Sequence, residues 1–278
     1  MPSNGWPIAV VRQTVDQAAA GKPCARPATH SYATLVFFTG GHSRMEQNGH
    51  WELSPGDVLL IPAGQPHRRL EARRAELWGL SFCAPCFAAD GAATLLEPFE
   101  RVRDGASAVV RVPAARHAFF EGLLRELAGV ADEPPRSPET RAAVERSLLT
   151  LLLHEVDRAA APPAPGAPPG GGTVAESLRF IERNCLRRLT LNDVAAAVGR
   201  SPAHVTTALS RATGRSAVAW IVSGRMAEAR RLLLHSNEKV DAIAERVGYA
   251  DPTHFIRMFR RECGATPAAW RAAQAPAP

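Results

Sequence analysis

The spacing of apolar and polar positions divides the 278-residue chain in two. Between residues 30 and 82 the apolar positions come in short runs, TLVFFTG, HWEL, DVLLIP and AELWGLSF, separated by Gly, Pro and Asn. Runs this short, rich in β-branched and aromatic residues and bounded by turn formers, predict strands. Asn48-Gly49 predicts a two-residue hairpin, because both residues tolerate the positive φ of a type I′ turn. Further along, the period lengthens. Residues 114–131 set Phe119, Leu123, Leu124, Leu127 and Val130 at helical spacing, and residues 138–159 do the same with Val144, Leu148, Leu151, Leu152 and Val156. Ser137 before Pro138 supplies a cap and a first-turn residue for the second of these helices. Each stripe needs a covering surface, either its own domain or a second copy of the chain, which makes a homodimer an expectation.

The clearest boundary is APPAPGAPPGGGT, residues 161–173, where Pro and Gly fill nine of thirteen places. It reads as a tether between a front domain, residues 1–160, and a tail domain, residues 174–278. Two domains also suit the length, and a composition of 46% hydrophobic and 22% charged residues is that of a folded globular protein. No apolar run approaches the roughly 20 residues that cross a bilayer, so no membrane role is expected. The start, MPSNGWPIAVVRQ, shows no secretion signal, and five scattered cysteines do not form a disulfide framework. Both features point to the reducing cytoplasm. Charge sharpens the division: residues 1–173 carry 17 basic against 18 acidic side chains, whereas 174–278 carry 16 against 9. The basic tail calls for an anionic partner, nucleic acid being the commonest.

In the front domain, Gly56-Asp-Val-Leu-Leu-Ile-Pro62-Ala-Gly64-Gln-Pro-His67 feeds a buried strand into a sharp corner that turns His67 back along the wall. It resembles the second motif of the cupin superfamily, which implies a small β-barrel over about residues 25–90. The family's enzymes bind a metal through His and Glu, for which His42, Glu46 and His67 are the weak candidates; Arg44 stands where a further His is expected, and its charge opposes a metal. The expected metal and cofactor content is none, and the barrel mouth is then a site for a small molecule. Cys83-Ala-Pro-Cys86 follows a strand; it lacks the βαβ surroundings of a thioredoxin turn, leaving small core residues, a redox-sensitive pair or, with two further thiol or imidazole ligands, a metal site as readings.

The tail holds a repeat. Val194-Ala195, Val198-Gly199 recur 49 residues on as Ile243-Ala244, Val247-Gly248, and Ser201-Pro202, His204-Val205, Leu209, Arg211, Gly214 recur 50 residues on as Asp251-Pro252, His254-Phe255, Phe259, Arg261, Gly264. Trp220 and Trp270 keep the register. Each copy reads as a short helix, a Gly turn, a cap with Pro at the first helical position, and a second helix with an inward apolar pair at i, i+4. That is a helix-turn-helix, whose second helix fits a major groove. The residues Arg225-Met226, Ala229, Leu232-Leu233, Ile243-Ala244, Val247-Gly248-Tyr249, Asp251, Phe255, Arg257, Phe259-Arg260-Arg261, Gly264, Pro267 and Trp270-Arg271 resemble the C-terminal signature of AraC/XylS-type transcription regulators. Leu209 departs from the family's usual Phe.

The resemblance implies an α+β two-domain protein: a cupin-like sensor with flanking helices, then an all-α domain of two helix-turn-helix units joined by a long helix at about 217–235. It implies a regulator, most simply an activator, that binds double-stranded DNA in response to a small-molecule effector, with RNA polymerase as a candidate partner and no enzymatic activity. By position, Thr206, Thr207, Thr253, His254 and Arg257 fall where family members reach bases, and Arg211, Arg260 and Arg261 where they reach phosphates. The alternatives are a metal-dependent cupin enzyme and a regulator switched by oxidation at Cys83 and Cys86.

Overall fold

A computed structural model describes residues 8–17, 27–132, 138–160 and 172–274. The front domain is a six-stranded antiparallel sheet of β1 (Ile8–Gln17), β2 (Ala33–Glu46), β3 (His50–Leu53), β4 (Asp57–Ile61), β5 (Arg68–Phe82) and β6 (Val109–Arg111), in the order β1-β5-β2-β4-β6 with β3 on β2. All four expected strands are present, framed by two edge strands, β1 and β6. The expected closed barrel is not: the sheet is open, and among the described residues no ladder joins β1 to β6. Its apolar face is closed by helices instead, namely α1 (Ala84–Phe87), α2 (Glu97–Arg103), α3 (His117–Asp132) and α4 (Pro138–Ala159). Leu35, Leu59, Leu60 and Leu80 from the strands and Phe120, Leu124 and Leu152 from the helices are wholly buried in one cluster. Burying a leucine or phenylalanine side chain stabilises a fold by about 2 kcal/mol, so the helices satisfy the sheet without a further strand.

Two local expectations are corrected. Asn48 (φ 46°) and Gly49 do turn the chain, but the ladder ends at Glu46–His50, which makes the loop three residues rather than two. The physical reason is Gln47, which leaves the ladder, is buried, and donates from Nε2 to the Leu60 carbonyl at 2.8 Å. In α3 the inward residue is Phe120, not Phe119, since one helical step rotates a side chain by about 100° away from the Leu123–Leu124–Leu127 face. Phe119 stays exposed, with the Arg116 guanidinium 4.2 Å over its ring. In α4, Leu149, Leu152, Leu153 and Val156 face the core, while Val144 and Leu151 face outward.

The tail runs α5 (Thr173–Asn184), α6 (Leu191–Ala197), α7 (Pro202–Thr213), α8 (Ala217–His235), α9 (Val240–Arg246), α10 (Pro252–Cys263) and α11 (Pro267–Gln274). Residues 161–171 of the expected tether lie outside the described residues, and Thr173 already belongs to α5. Helix α8 spans the range the sequence predicted for the connecting rod. One core gathers Val194, Val205, Leu209 and Trp220 with Leu178 and Ile181 of α5. The other gathers Ile243, Phe255, Phe259 and Trp270 with Met226 and Leu233 of α8.

Candidate DNA interface and its seat on the front domain

Each repeat builds a helix-turn-helix by the same local chemistry. Ser201 accepts the His204 N–H at 3.2 Å and Asp251 accepts those of Thr253 and His254 at 2.9 and 3.2 Å, so both second helices start on a satisfied cap with Pro at the first position. The turn before α10 needs Gly248 (φ 83°): a Cβ there would stand 2.7 Å from the Arg187 carbonyl oxygen. The guanidinium of Arg225 on the rod locks that junction. It donates to the Cys185 and Arg187 carbonyls at 2.7 Å each and lies 5.0 Å over the Tyr249 ring. Val205 and Leu209 in α7, and Phe255 and Phe259 in α10, are wholly buried, as the repeat predicted.

With those pairs inside, the opposite faces are fixed. In α10, Thr253, His254, Arg257, Arg260 and Arg261 are all exposed; Thr253, Arg257 and Arg260, at i, i+4 and i+7, form one stripe. The equivalent stripe of α7 is Ala203, Thr207 and Ser210, also exposed, with Arg211 beside it. Thr206 is half-buried, one step off this stripe. Arg261 is drawn to Glu262 at 3.0 Å, an exposed pair of little energetic weight. His254 packs edge-on to Tyr249 at 5.4 Å, which orients its ring along the helix start.

The first unit is seated on the front domain by contacts that the sequence does not announce. The corner Pro62–Gly64 enters its core: Ala63 is 3% exposed within the α5–α7–α8 cluster, and a Cβ at Gly64 (φ 79°) would meet Leu178 at 2.7 Å and Trp220 at 3.2 Å. Thr29 donates to the carbonyl of Thr213 at the end of α7 at 3.2 Å. Around the corner lies an ionic clamp. Arg103 in α2, its side chain 4% exposed, donates to both oxygens of Glu182 in α5 at 2.9 and 2.8 Å, to Glu100 at 3.2 Å and to the Ala63 carbonyl at 3.2 Å. Arg179 in α5 answers from the other side, to Glu100 at 2.6 Å and to Asp104. Burial opposes the charge of Arg103, but Glu182, Glu100 and Asp104 outweigh it and hold its pKa above the ordinary value.

The cupin-like corner therefore has a structural use, and the weak metal candidates are each engaged elsewhere. His42 Nε2 lies 3.9 Å from Glu52, Glu46 takes the Arg68 Nε–H at 2.6 Å, and His67 sits edge-on to His30 at 4.9 Å with its Nδ1 3.1 Å from the Gln65 carbonyl. Among the described residues no three His, Cys, Asp or Glu side chains are grouped to hold a metal. His30 was not anticipated: burial first, and then the neighbouring His67, push its pKa down to about 4. Cys83 and Cys86 are joined in a disulfide at the start of α1, which fits the reading of them as a redox-sensitive pair rather than as two separate small core residues. Their spacing allowed it, because a helix start brings residues i and i+3 within the roughly 5.5 Å Cα separation a disulfide takes. Cys185 and Cys263 are free, and burial pushes the Cys185 thiol up to about 12.

Comparison with known proteins completes the assignment. A family described as "Helix-turn-helix domain" matches residues 194–273, and one described as "AraC-like ligand binding domain" matches residues 19–134. The chain carries an AraC-like ligand-binding domain followed by a helix-turn-helix domain of AraC type. It is 23% identical over 242 residues to the HTH-type transcriptional regulator YpdC of Escherichia coli, covering 85% of this chain and 80% of that one. To the regulatory protein PocR of Salmonella typhimurium it is 32% identical over 106 residues, 38% of this chain and 35% of PocR. To the transcriptional activator NphR of Rhodococcus it is 38% identical over 94 residues, 34% of this chain and 28% of NphR. The chain thus spans about a third of PocR and of NphR but four fifths of YpdC. The chain joins an antiparallel-sheet domain to two helix-turn-helix units, and among the described residues no helix is long and apolar enough to cross a membrane.

Proposed function

We propose that this AraC-family protein binds double-stranded DNA with α7 and α10 in successive major grooves, and that a small-molecule effector acting on the front domain adjusts that binding. The observation that carries the reading is the α10 face, where Thr253, Arg257 and Arg260 are exposed in one stripe while Phe255 and Phe259 anchor the opposite side. Arg257, with Thr253 and His254, reads bases; Thr206 and Thr207 do so from α7, and Arg211, Arg260 and Arg261 bind phosphates. On this reading residues 1–160 form the sensor and 174–278 the DNA-binding domain, with the Pro/Gly segment 161–172 between them and α5 opening at Thr173. NphR, named an activator, supports activation, which brings RNA polymerase in as a partner in the cytoplasm. The outward Phe119, Val144 and Leu151 support a homodimer through α3 and α4. No enzymatic activity and no cofactor are assigned.

A second reading is favoured by the Cys83–Cys86 disulfide: oxidation of this pair, rather than a ligand, switches the regulator. Labelling of thiols before and after oxidant, alongside DNA affinity, separates the two, since unchanged affinity on reduction removes the redox reading. The main reading is tested by recovering genomic fragments bound to the full chain and titrating one against salt. The expected result is a log K that falls with log salt by several units; binding to no fragment, or binding indifferent to salt, overturns it.

A further inference from the structure

The two helix-turn-helix units have separate apolar cores. Among the described residues those cores share no side chain, and α8 divides itself between them, giving Trp220 and Ile221 to the first and Val222 and Met226 to the second. What spans the division is polar. Arg225, 9% exposed, lies one helical turn beyond Ile221 on the same side of the rod. Its Nε donates to the Cys185 carbonyl and its Nη2 to the Arg187 carbonyl, both at 2.7 Å, just past the end of α5, where carbonyls lack an intrahelical partner. The same guanidinium lies over the Tyr249 ring of the second unit, and that ring packs at 5.4 Å on His254 and 5.5 Å on Phe255 at the start of α10. The approach is close on both sides. A Cβ at Gly224 would stand 2.7 Å from the Cys185 Sγ, and one at Gly248 would stand 3.1 Å from Nη2 of Arg225.

We propose that Arg225 is a positioning residue that sets the separation of the two recognition helices, and so the number of base pairs between the two half-sites this protein accepts. The inference rests on the regulator reading and names what fixes its DNA specificity beyond individual base contacts. Each apolar core fixes the inside of its own unit. The register of one unit against the other depends on the rod and on what spans the junction, and there one side chain touches the end of α5 and the turn before α10 together. A guanidinium suits that task, since its planar fork makes two bonds at fixed angles while its face stacks on a ring; a lysine ammonium offers neither. One base pair moves a half-site by about 3.4 Å along the duplex and turns it by roughly 35° about the axis, so units held in fixed register meet a shifted site out of its groove. Arg225 belongs to neither recognition face and acts on α10 through Tyr249.

The test uses the full chain and a recovered genomic fragment trimmed to its two protected half-sites, with duplexes in which one base pair is inserted or removed between them. The parent protein is expected to bind both altered spacings at least about tenfold more weakly. Arg225→Lys keeps the charge; it should bind the original duplex about tenfold more weakly and bring the three spacings within about threefold of one another. Tyr249→Leu leaves both carbonyl bonds in place and should flatten the preference in the same direction, and circular dichroism reports the fold of each variant. A side chain that only stabilised the domain would lower all three affinities by one factor and keep their ratios. That result overturns the proposal, as does a parent protein indifferent to spacing. Loss of the fold in both variants overturns it too, because the junction then serves stability alone. A parent protein that binds no duplex counts instead against the regulator reading.

Discussion

The first helix-turn-helix unit closes its core with Ala63 from the front domain, whereas the second draws its core from α8 to α11 alone. Their recognition helices differ in the opposite sense. Where α10 exposes Thr253, Arg257 and Arg260, α7 exposes Ala203, Thr207 and Ser210 at the equivalent places. Of the two, the unit with the weaker cationic face is the one clamped to the front domain through Glu182 and Arg179, and the unit with the stronger face packs its core on the rod, its Gly248 turn against the Arg187 carbonyl. A repeat can thus keep one frame while its copies divide the work. On the proposed function, the seated copy is placed to report the state of the front domain, and the outlying copy to supply attraction to DNA.

Truncating the aromatic core is expected to separate the units most strongly. Phe259→Ala should cost about 3–5 kcal/mol and remove hydrogen-exchange protection from α9–α11 while α6, α7 and the sheet keep theirs. Equal loss in both units would mean that they share one cooperative core. The converse change is Arg103→Ala, which strands the buried carboxylate of Glu182 and should cost about 3 kcal/mol, read as lost protection in α5 and the Pro62–Gly64 corner with α10 unaffected.

Acid should act on the seated side too. His30 titrates near 4 in the fold against 6.5 when free, so between those values the unfolded chain binds more protons and stability falls as the pH is lowered. The contribution is about 3 kcal/mol, fully present above pH 6.5 and lost on descending to about 4. Denaturant titrations across this range should show a shallower decline in His30→Gln than in the parent; identical slopes would remove the histidine from the account.

On the outlying side, Arg257→Ala is expected to lose about 1–3 kcal/mol of discrimination between a specific duplex and one altered at a single base pair. Thr207→Ala should lose less, and competition binding compares them directly. The smallest change is Arg260→Ala, which should weaken all duplexes alike and reduce the salt slope by about one.

The tail was legible because its repeat fixes the same caps, Gly turns and inward pairs twice, and each is a local rule. The four strands of the sheet centre were legible for the same reason. Strand β1 was not, since it is an edge strand with few buried positions. Closure of the sheet also escaped: a motif resembling that of a barrel sets the corner at Pro62–Gly64 but not what covers the remaining apolar face, which α1–α4 supply. The clamp of Arg103, Glu100, Arg179 and Glu182 joins residues 79 positions apart and leaves no periodic trace.

Hydroxyl-radical footprinting of the full chain on a recovered operator is the most direct measurement of whether both units read DNA. Two protected patches about one helical turn, or roughly 10 base pairs, apart on one face of the duplex are predicted, with Arg257→Ala erasing only one. A single patch in the parent protein, or two patches indifferent to Arg257→Ala, would contradict it.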